Sequence, residues 1–171
     1  MLNRFALLAV LLMVVSGCGG GGTAEVGFTK ADSEAIHSIV QDFAEAFGEN
    51  DSSVLIKDYA ANAVLMPPNT SKVSSPASIA GFFDVLFSEG KASLAIEPGD
   101  LEGDGTLGVI DGSYLLEISP EGDSEGQRDR GKFIWILRKL QNRWFIQKQL
   151  WNSDLPPQVP SEPKEEEEEE E

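Results

Sequence analysis

Few side chains in this sequence could perform nucleophilic or metal chemistry. The 171 residues include one cysteine, Cys18, and one histidine, His37. A lone cysteine cannot form a disulfide within the chain, and one Cys with one His is too few for a zinc-type cluster. A Ser-His-Asp system would have to use His37, and the sequence lacks the GxSxG motif that positions such a serine in hydrolases. We therefore predict neither a metal ion nor another cofactor.

The polar side chains that could bind a ligand or move a proton are two tyrosines and two residues near the end of the last strand. Tyr59 is expected to point inward from a short second helix, where a buried phenol needs a hydrogen-bond partner. Tyr114 and Glu117 lie three residues apart on one predicted strand, so only one of them can face a pocket, and we favour Tyr114. Asn152 and Asp154 could form a turn or line a pocket mouth.

The hydrophobic periodicity predicts the elements that would position these side chains. Apolar residues at helical spacing indicate helices over 29–48, 51–60 and 75–90. Apolar or alternating segments between turn residues predict strands over 62–67, 91–97, 107–118, 132–140 and 143–152. The last two strands are expected to pair as a hairpin around Gln141-Asn142. This order predicts an α+β fold, in which three N-terminal helices pack on a curved, mostly antiparallel sheet and form a cone with an open mouth.

The first residues resemble a bacterial lipoprotein signal peptide. Arg4 precedes an unbroken apolar run over 5–15, which suits a signal-peptide core and is short for a membrane-spanning helix. The run leads into Val15-Ser16-Gly17-Cys18, which resembles the lipobox. The resemblance implies that residues 1–17 are removed, that acylated Cys18 holds the chain on a lipid bilayer of the cell envelope, and that 18–28 form a Gly-rich tether. By the same resemblance, Gly19 favours the outer membrane where a host has two.

The net charge of −16 is spread unevenly along the chain. The Pro/Glu-rich segment 158–171 ends in seven consecutive glutamates and is expected to be a solvated, disordered tail. The remaining excess of acids argues against nucleic-acid binding, because phosphate contacts need clustered Lys and Arg. Seven cations nevertheless lie in 128–148 and seven acids in 32–58. They indicate either cationic strands beside acidic helices or a patch for an anionic partner.

The span from residue 31 to residue 157 resembles the nuclear transport factor 2-like superfamily, in particular its SnoaL-like members and an uncharacterised secreted bacterial branch. Four motifs in order carry this resemblance: Tyr59-Ala60-x-x-Ala63-Val64-x-Met66-Pro67-Pro68, Gly131-Lys132-Phe133-x-Trp135, Trp144-x-Ile146 and Trp151-Asn152-Ser153-Asp154. The resemblance implies a single cone domain over 29–157, which most members use to dimerise across the sheet. Members include isomerases, dehydratases, cyclases, transport factors and assembly domains, so the fold alone does not give the function.

Two family chemistries find no clear counterpart here. By resemblance, the isomerase base lies after the first strand, where this chain has Met66-Pro67-Pro68-Asn69 and no carboxylate. Dehydratase-type members use a His-Asp pair in the cavity, and His37 lies off the centre of the apolar stripe of its helix. Both departures put a direct transfer of these activities in doubt.

The sequence is compatible with three functions. The favoured one is an envelope lipoprotein whose cone binds a small hydrophobic ligand. Its pocket candidates are Tyr59, Met66, Tyr114, Trp135, Asn152 and Asp154. The first alternative is a SnoaL-like enzyme with Tyr59 and Asp154 as acid and base. The second is an assembly module that forms a homodimer through its sheet.

Overall fold

The computed structural model describes residues 27–122 and 125–156. The expected signal peptide, Cys18, most of the tether and the acidic tail lie outside these ranges. The described elements, in chain order, are α1 (Lys30–Gly48), α2 (Ser52–Leu55) with a 3-10 turn (Ile56–Asp58), β1 (Tyr59–Met66), β2 (Val73–Ser74), α3 (Pro76–Ser88), β3 (Lys91–Asp104), β4 (Leu107–Ser119), β5 (Gln127–Leu140) and β6 (Arg143–Ser153). None of the helices in these ranges is both long enough and apolar enough to cross a membrane.

The strands form one six-stranded sheet in the order β2-β1-β6-β5-β4-β3. β3 to β6 are a continuous antiparallel meander, and β1 lies parallel to β6 with β2 antiparallel at its outer edge. α1 and α3 cover one face of this curved sheet. The predicted α+β cone with a mostly antiparallel sheet is therefore confirmed.

The first helix forms where the sequence predicts it. Thr29 and Asp32 make a reciprocal capping box, in which each side chain bonds the other residue's backbone N–H. The apolar stripe, which includes Ile36, Val40 and Phe43, is buried against the sheet. The ring of Phe43 lies edge-on to Trp135, with 5.0 Å between the ring centroids, and this contact joins α1 to the middle of β5.

The second helix and three strands differ from the prediction. β5 begins at Gln127 rather than at residue 132, because its first residues pair with the end of β4. The helical segment ends at Asp58, and Tyr59 and Ala60 already belong to β1, because Tyr59 pairs with Ile146 of β6. β3 continues well beyond residue 97, because a bulge between Pro98 and Leu101 accommodates a proline within the ladder. β2 is a two-residue strand that the periodicity could not reveal.

The cationic strands and the acidic helices lie side by side, as one of the two interpretations of the charge pattern expected. Lys139 Nζ contacts Asp32 Oδ1 at 2.6 Å, and Arg143 Nη2 contacts Asp58 Oδ1 at 2.6 Å. The Gln141-Asn142 hairpin that brings both cations to this end has φ angles of 47° and 65°. These values match the tight two-residue turn predicted from the sequence.

A candidate ligand-binding cavity in the cone

An apolar cavity lies between the two longer helices and the inner face of the sheet. The cavity has a volume of about 50 Å³, and the wider apolar hollow around it, counted together with open solvent at its mouth, measures about 500 Å³. Its walls come from α1, α3 and the four strands of the meander: Phe43, Phe47, Phe82, Phe83, Leu86, Leu94, Ile96, Tyr114, Leu116, Phe133, Trp135, Gln149 and Trp151. No charged side chain belongs to this lining. Such a cavity favours an uncharged, largely apolar occupant, because a charge would lose its hydration without gaining a partner.

Strand register places the polar members of the lining at two separate levels. Gln149 pairs with Trp135, whereas Tyr114 pairs with Gly131. Trp135 and Gly131 are four residues apart on β5, which corresponds to about 13 Å along a strand. Phe133 lies between these levels, so an aromatic ring separates the amide of Gln149 from the phenol of Tyr114.

Gln149 is the buried polar residue of the first level, with 4% of its surface exposed. Its Oε1 accepts a hydrogen bond from the hydroxyl of Tyr59, which is also buried. Burial raises the pKa of the Tyr59 phenol well above its usual value near 10. Tyr59 therefore stays a neutral donor, and it fixes which side of the Gln149 amide faces the protein.

Tyr114 belongs to a small polar cluster at the second level. Its hydroxyl donates to Asp129 Oδ2 at 2.8 Å, and the hydroxyl of Ser153 donates to Asp129 Oδ1 at 2.5 Å. Burial raises the pKa of Tyr114 far above 10, and the nearby carboxylate of Asp129 raises it further. The phenol is consequently neutral near neutral pH, and its proton is already engaged.

Comparisons with solved structures agree with this architecture. A ketosteroid isomerase-like protein from Erwinia carotovora atroseptica matches 75% of this chain and 100% of its own length, at 14% identity and a TM-score of 0.66. A candidate scytalone dehydratase from Novosphingobium aromaticivorans matches 73% of this chain and 85% of its own, at 9% identity and a TM-score of 0.67. A nuclear transport factor 2-like protein with a cystatin-like fold, from the same organism, matches 70% and 79%, at 14% identity and a TM-score of 0.60.

The chain has the nuclear transport factor 2-like cone fold. No protein-family model and no curated protein sequence matches it. At these identities the shared property is the fold, so the chemistry of this nuclear transport factor 2-like cone must be argued from its own residues.

The structure brings two of the six pocket candidates into the cavity lining and places the other four elsewhere. Tyr114 and Trp135 line the cavity. Tyr59 lies behind Gln149 rather than in the lining. Met66 pairs with Leu150, on the face of the sheet turned away from the helices. Asn152 is exposed and pairs with Lys132.

Asp154 forms an ion pair with Lys132, and both side chains are largely exposed. Tyr59 is buried beneath the cavity, so the structure does not bring Tyr59 and Asp154 together on one point of a ligand. Glu117 is likewise exposed and pairs with Arg128 at 3.4 Å, so Tyr114 is the member of the Tyr114/Glu117 pair that faces the cavity.

His37 and the acidic residues give no further site in the described ranges. His37 is half-buried on α1, and its Nδ1 lies 2.8 Å from the carbonyl oxygen of Ser33 in the preceding turn. Across residues 27–122 and 125–156, no group of three His, Cys, Asp or Glu side chains could hold a metal ion.

Gln149 is a polar cavity residue that was not among the candidates named from the sequence. A bulge opposite Ile136 and Leu137 pairs these neighbours with Lys148 and Ile146, which leaves Gln147 as an extra residue on β6. The insertion reverses the alternation beyond it, so Gln149 and Trp151 face inward while Asn152 faces outward. The sequence offered one signal for this bulge. Apolar Ile146 and apolar Trp151 are five residues apart, and an uninterrupted strand would place residues at that odd spacing on opposite faces.

Proposed function

We propose that this domain binds a small, uncharged, hydrophobic molecule in its cone and that acylated Cys18 holds it on a membrane of the bacterial envelope. The observation that carries the binding proposal is the lining itself. Eleven of its thirteen residues are aliphatic or aromatic without a hydroxyl or amide group, and the polar pair Tyr114 and Gln149 contributes one phenol and one amide. Apolar cavities with few fixed polar groups are typical of small-molecule sites.

The test uses adjacent residues of α3 as site and control. Leu86 lines the cavity, whereas Val85 points outward with 66% of its surface exposed. The mature chain, beginning at residue 18 with Cys18→Ser to prevent acylation, is titrated with the neutral fluorescent probe N-phenylnaphthylamine. Leu86→Trp fills the cavity and is expected to weaken binding roughly tenfold or more, whereas Val85→Trp leaves it unchanged. Equal binding by all three proteins, or no binding to the parent, would reject the cavity as a site.

A second candidate function, assembly through the sheet, is favoured by the outer face of the meander. Ile134 and Leu150 are cross-strand neighbours there, and 44% and 38% of their surfaces are exposed. Met66 extends this apolar stripe onto β1 through its pairing with Leu150. Contiguous exposed apolar residues of this kind commonly mark a protein–protein contact.

Charge on the same face is divided between its two halves. Strand alternation places Arg138 and Lys148 on the β5–β6 half and Asp111 on the β3–β4 half, whereas Lys132 and Glu117 are already paired with Asp154 and Arg128. A twofold axis through the apolar stripe would bury Ile134 and Leu150 of one copy against the same residues of another. We therefore expect a homodimer that Ile134→Glu dissociates and Val85→Glu does not, measured by analytical ultracentrifugation. A parent protein that sediments as a monomer at high micromolar concentration would reject this assembly.

A further inference from the structure

The lining of the cone offers a hydrogen-bond donor that has no acceptor among the described residues. Gln149 Oε1 is occupied by Tyr59, and the Nε2 group on the other side of the same amide donates to no acceptor within residues 27–122 and 125–156. In those ranges, Asn50 Oδ1 is the fully buried side-chain polar atom that has no hydrogen-bond partner, and Gln149 Nε2 is not such an atom. Nε2 is therefore not sealed in protein and opens on the cavity that Gln149 lines.

The orientation of this amide follows from Tyr59. The Tyr59 hydroxyl is buried, and Gln149 is the residue with which it bonds. With Oε1 toward Tyr59, the phenolic proton has an acceptor. The flipped amide would place two donors against the phenol and leave its proton unpaired, which is costly in a buried site. Tyr59 is thus a positioning residue that turns the Nε2 donors toward the cavity.

The neighbouring polar groups make the lining a surface that donates hydrogen bonds. Trp135, the cross-strand partner of Gln149, also lines the cavity, and its indole N–H donates to no acceptor among the described residues. The Tyr114 proton is already given to Asp129. Gln149 therefore presents its Nε2 donors at the level of Trp135, between walls formed by Phe43 and Phe133.

We propose that Gln149 selects the occupant of the cone: an uncharged aromatic or alicyclic molecule with one carbonyl-type acceptor, which takes the hydrogen bond of Nε2. This inference rests on the proposed binding function and makes it specific. An apolar molecule without an acceptor would bind while leaving the amide unpaired. A carboxylate would enter a lining without any cation and would be rejected. Sites built to hydrogen-bond a ligand discriminate against analogues that lack the matching group.

The experiment compares two probes of nearly equal shape on the acylation-free mature chain. Acetylnaphthalene carries a carbonyl where ethylnaphthalene carries a methylene group, and binding is followed by quenching of tryptophan fluorescence, since Trp135 and Trp151 line the cavity. We expect the parent to prefer acetylnaphthalene by roughly tenfold. The double variant Tyr59→Phe/Gln149→Met removes the polar pair without leaving a buried group unpaired, and it should bind both probes equally. Asn152→Met, on the exposed face of the same strand, should keep the preference.

Each outcome separates the two proposals. Equal binding of both probes to the parent overturns the selection by Gln149 and leaves the binding function standing. A preference that survives in the double variant overturns the assignment to Gln149 as well. Binding of neither probe to the parent overturns the binding function and this inference with it. Gln149→Met alone, checked for a native circular dichroism spectrum, serves as a second variant if the double variant does not fold.

Discussion

Asp32 stabilises the closed end of the cone, and its removal should be the most costly single change to an acidic residue of α1. Its carboxylate is buried, with Oδ1 accepting from Lys139 Nζ at 2.6 Å and from Trp144 Nε1 at 2.9 Å. Oδ2 accepts from the Thr29 hydroxyl at 2.7 Å and from the Thr29 backbone N–H at 3.0 Å. One side chain therefore caps α1 and binds this helix to both β5 and β6.

Asp32→Ala leaves a largely buried ammonium group and a buried indole N–H without their acceptor. Breaking one partner of a buried, hydrogen-bonded ion pair costs about 3–5 kcal/mol in the free energy of unfolding. Urea denaturation followed by tryptophan fluorescence measures this change. Asp42→Ala is the matched control, because Asp42 lies on the same helix, is exposed and accepts only from Ser38 at 3.3 Å. We expect that control to change stability by less than about 0.5 kcal/mol. Equal losses in the two variants would refute the argument.

The same carboxylate makes stability depend on pH in a defined direction. The hydrogen bond from Lys139, followed by those from Thr29 and Trp144, holds the pKa of Asp32 well below its usual range despite the opposing effect of burial. In the unfolded chain the group titrates near its ordinary value of about 3.9. Its contribution is therefore complete above that value and is lost as the pH falls from about 5 toward the folded pKa. A parent and an Asp32→Ala variant that lose stability in parallel over this acid range would contradict the assignment.

Three further predictions concern the tyrosines, a glycine and the lipid anchor. The chain has two tyrosines, and folding raises the pKa of both. Ultraviolet titration of the native protein should therefore show no phenolate near pH 10, where tyrosine in an unfolded chain titrates. The free energy of unfolding should fall as the pH rises through this value. A normal native titration would show that Tyr59 and Tyr114 are accessible to water. Gly112→Ala would place a Cβ 2.7 Å from the ring of Phe133 and 2.3 Å from the Glu97 carbonyl oxygen, so it should cost about 1–3 kcal/mol and weaken probe binding. Gly81→Ala, which has open space around the added Cβ on α3, should do neither. Cys18→Ala should abolish incorporation of labelled palmitate and release the chain from the membrane fraction; retention of label would show that acylation occurs elsewhere.

Local signals determined most of the framework in advance. The capping box at Thr29 and Asp32, the Gln141-Asn142 turn and the inward position of Tyr114 follow from rules that act within a few residues. The order of helices and strands then limited the architecture to an α+β cone. These features could be predicted because each depends on a short segment with its own periodicity or turn chemistry.

The cavity required information that no single segment contains. Gln149 faces inward because of a bulge in the pairing of β5 with β6, and a bulge depends on both strands. Met66 faces outward because of its register with Leu150 across a parallel pairing of distant segments. The apolar stripe of α3 was recognised as buried, but whether Phe82 and Leu86 fill the core or border open space depends on the curvature of the sheet.

The position of Phe28 determines at which end of the domain the tether would be attached. Its ring packs edge-on against Trp144, with 5.9 Å between the centroids, and it contacts Gly103, so the chain leaves the domain at the end where Asp32 is bound. Gly108 of β4 lies beside Trp144 at this end, and Tyr114 lies six residues further along β4, about 20 Å away. A tether from residue 18 to residue 27 spans at most about 35 Å. A chain anchored through Cys18 would therefore hold its Asp32 end within about 35 Å of the lipid headgroups, and its Tyr114–Asp129 end could lie about 20 Å farther into the aqueous space.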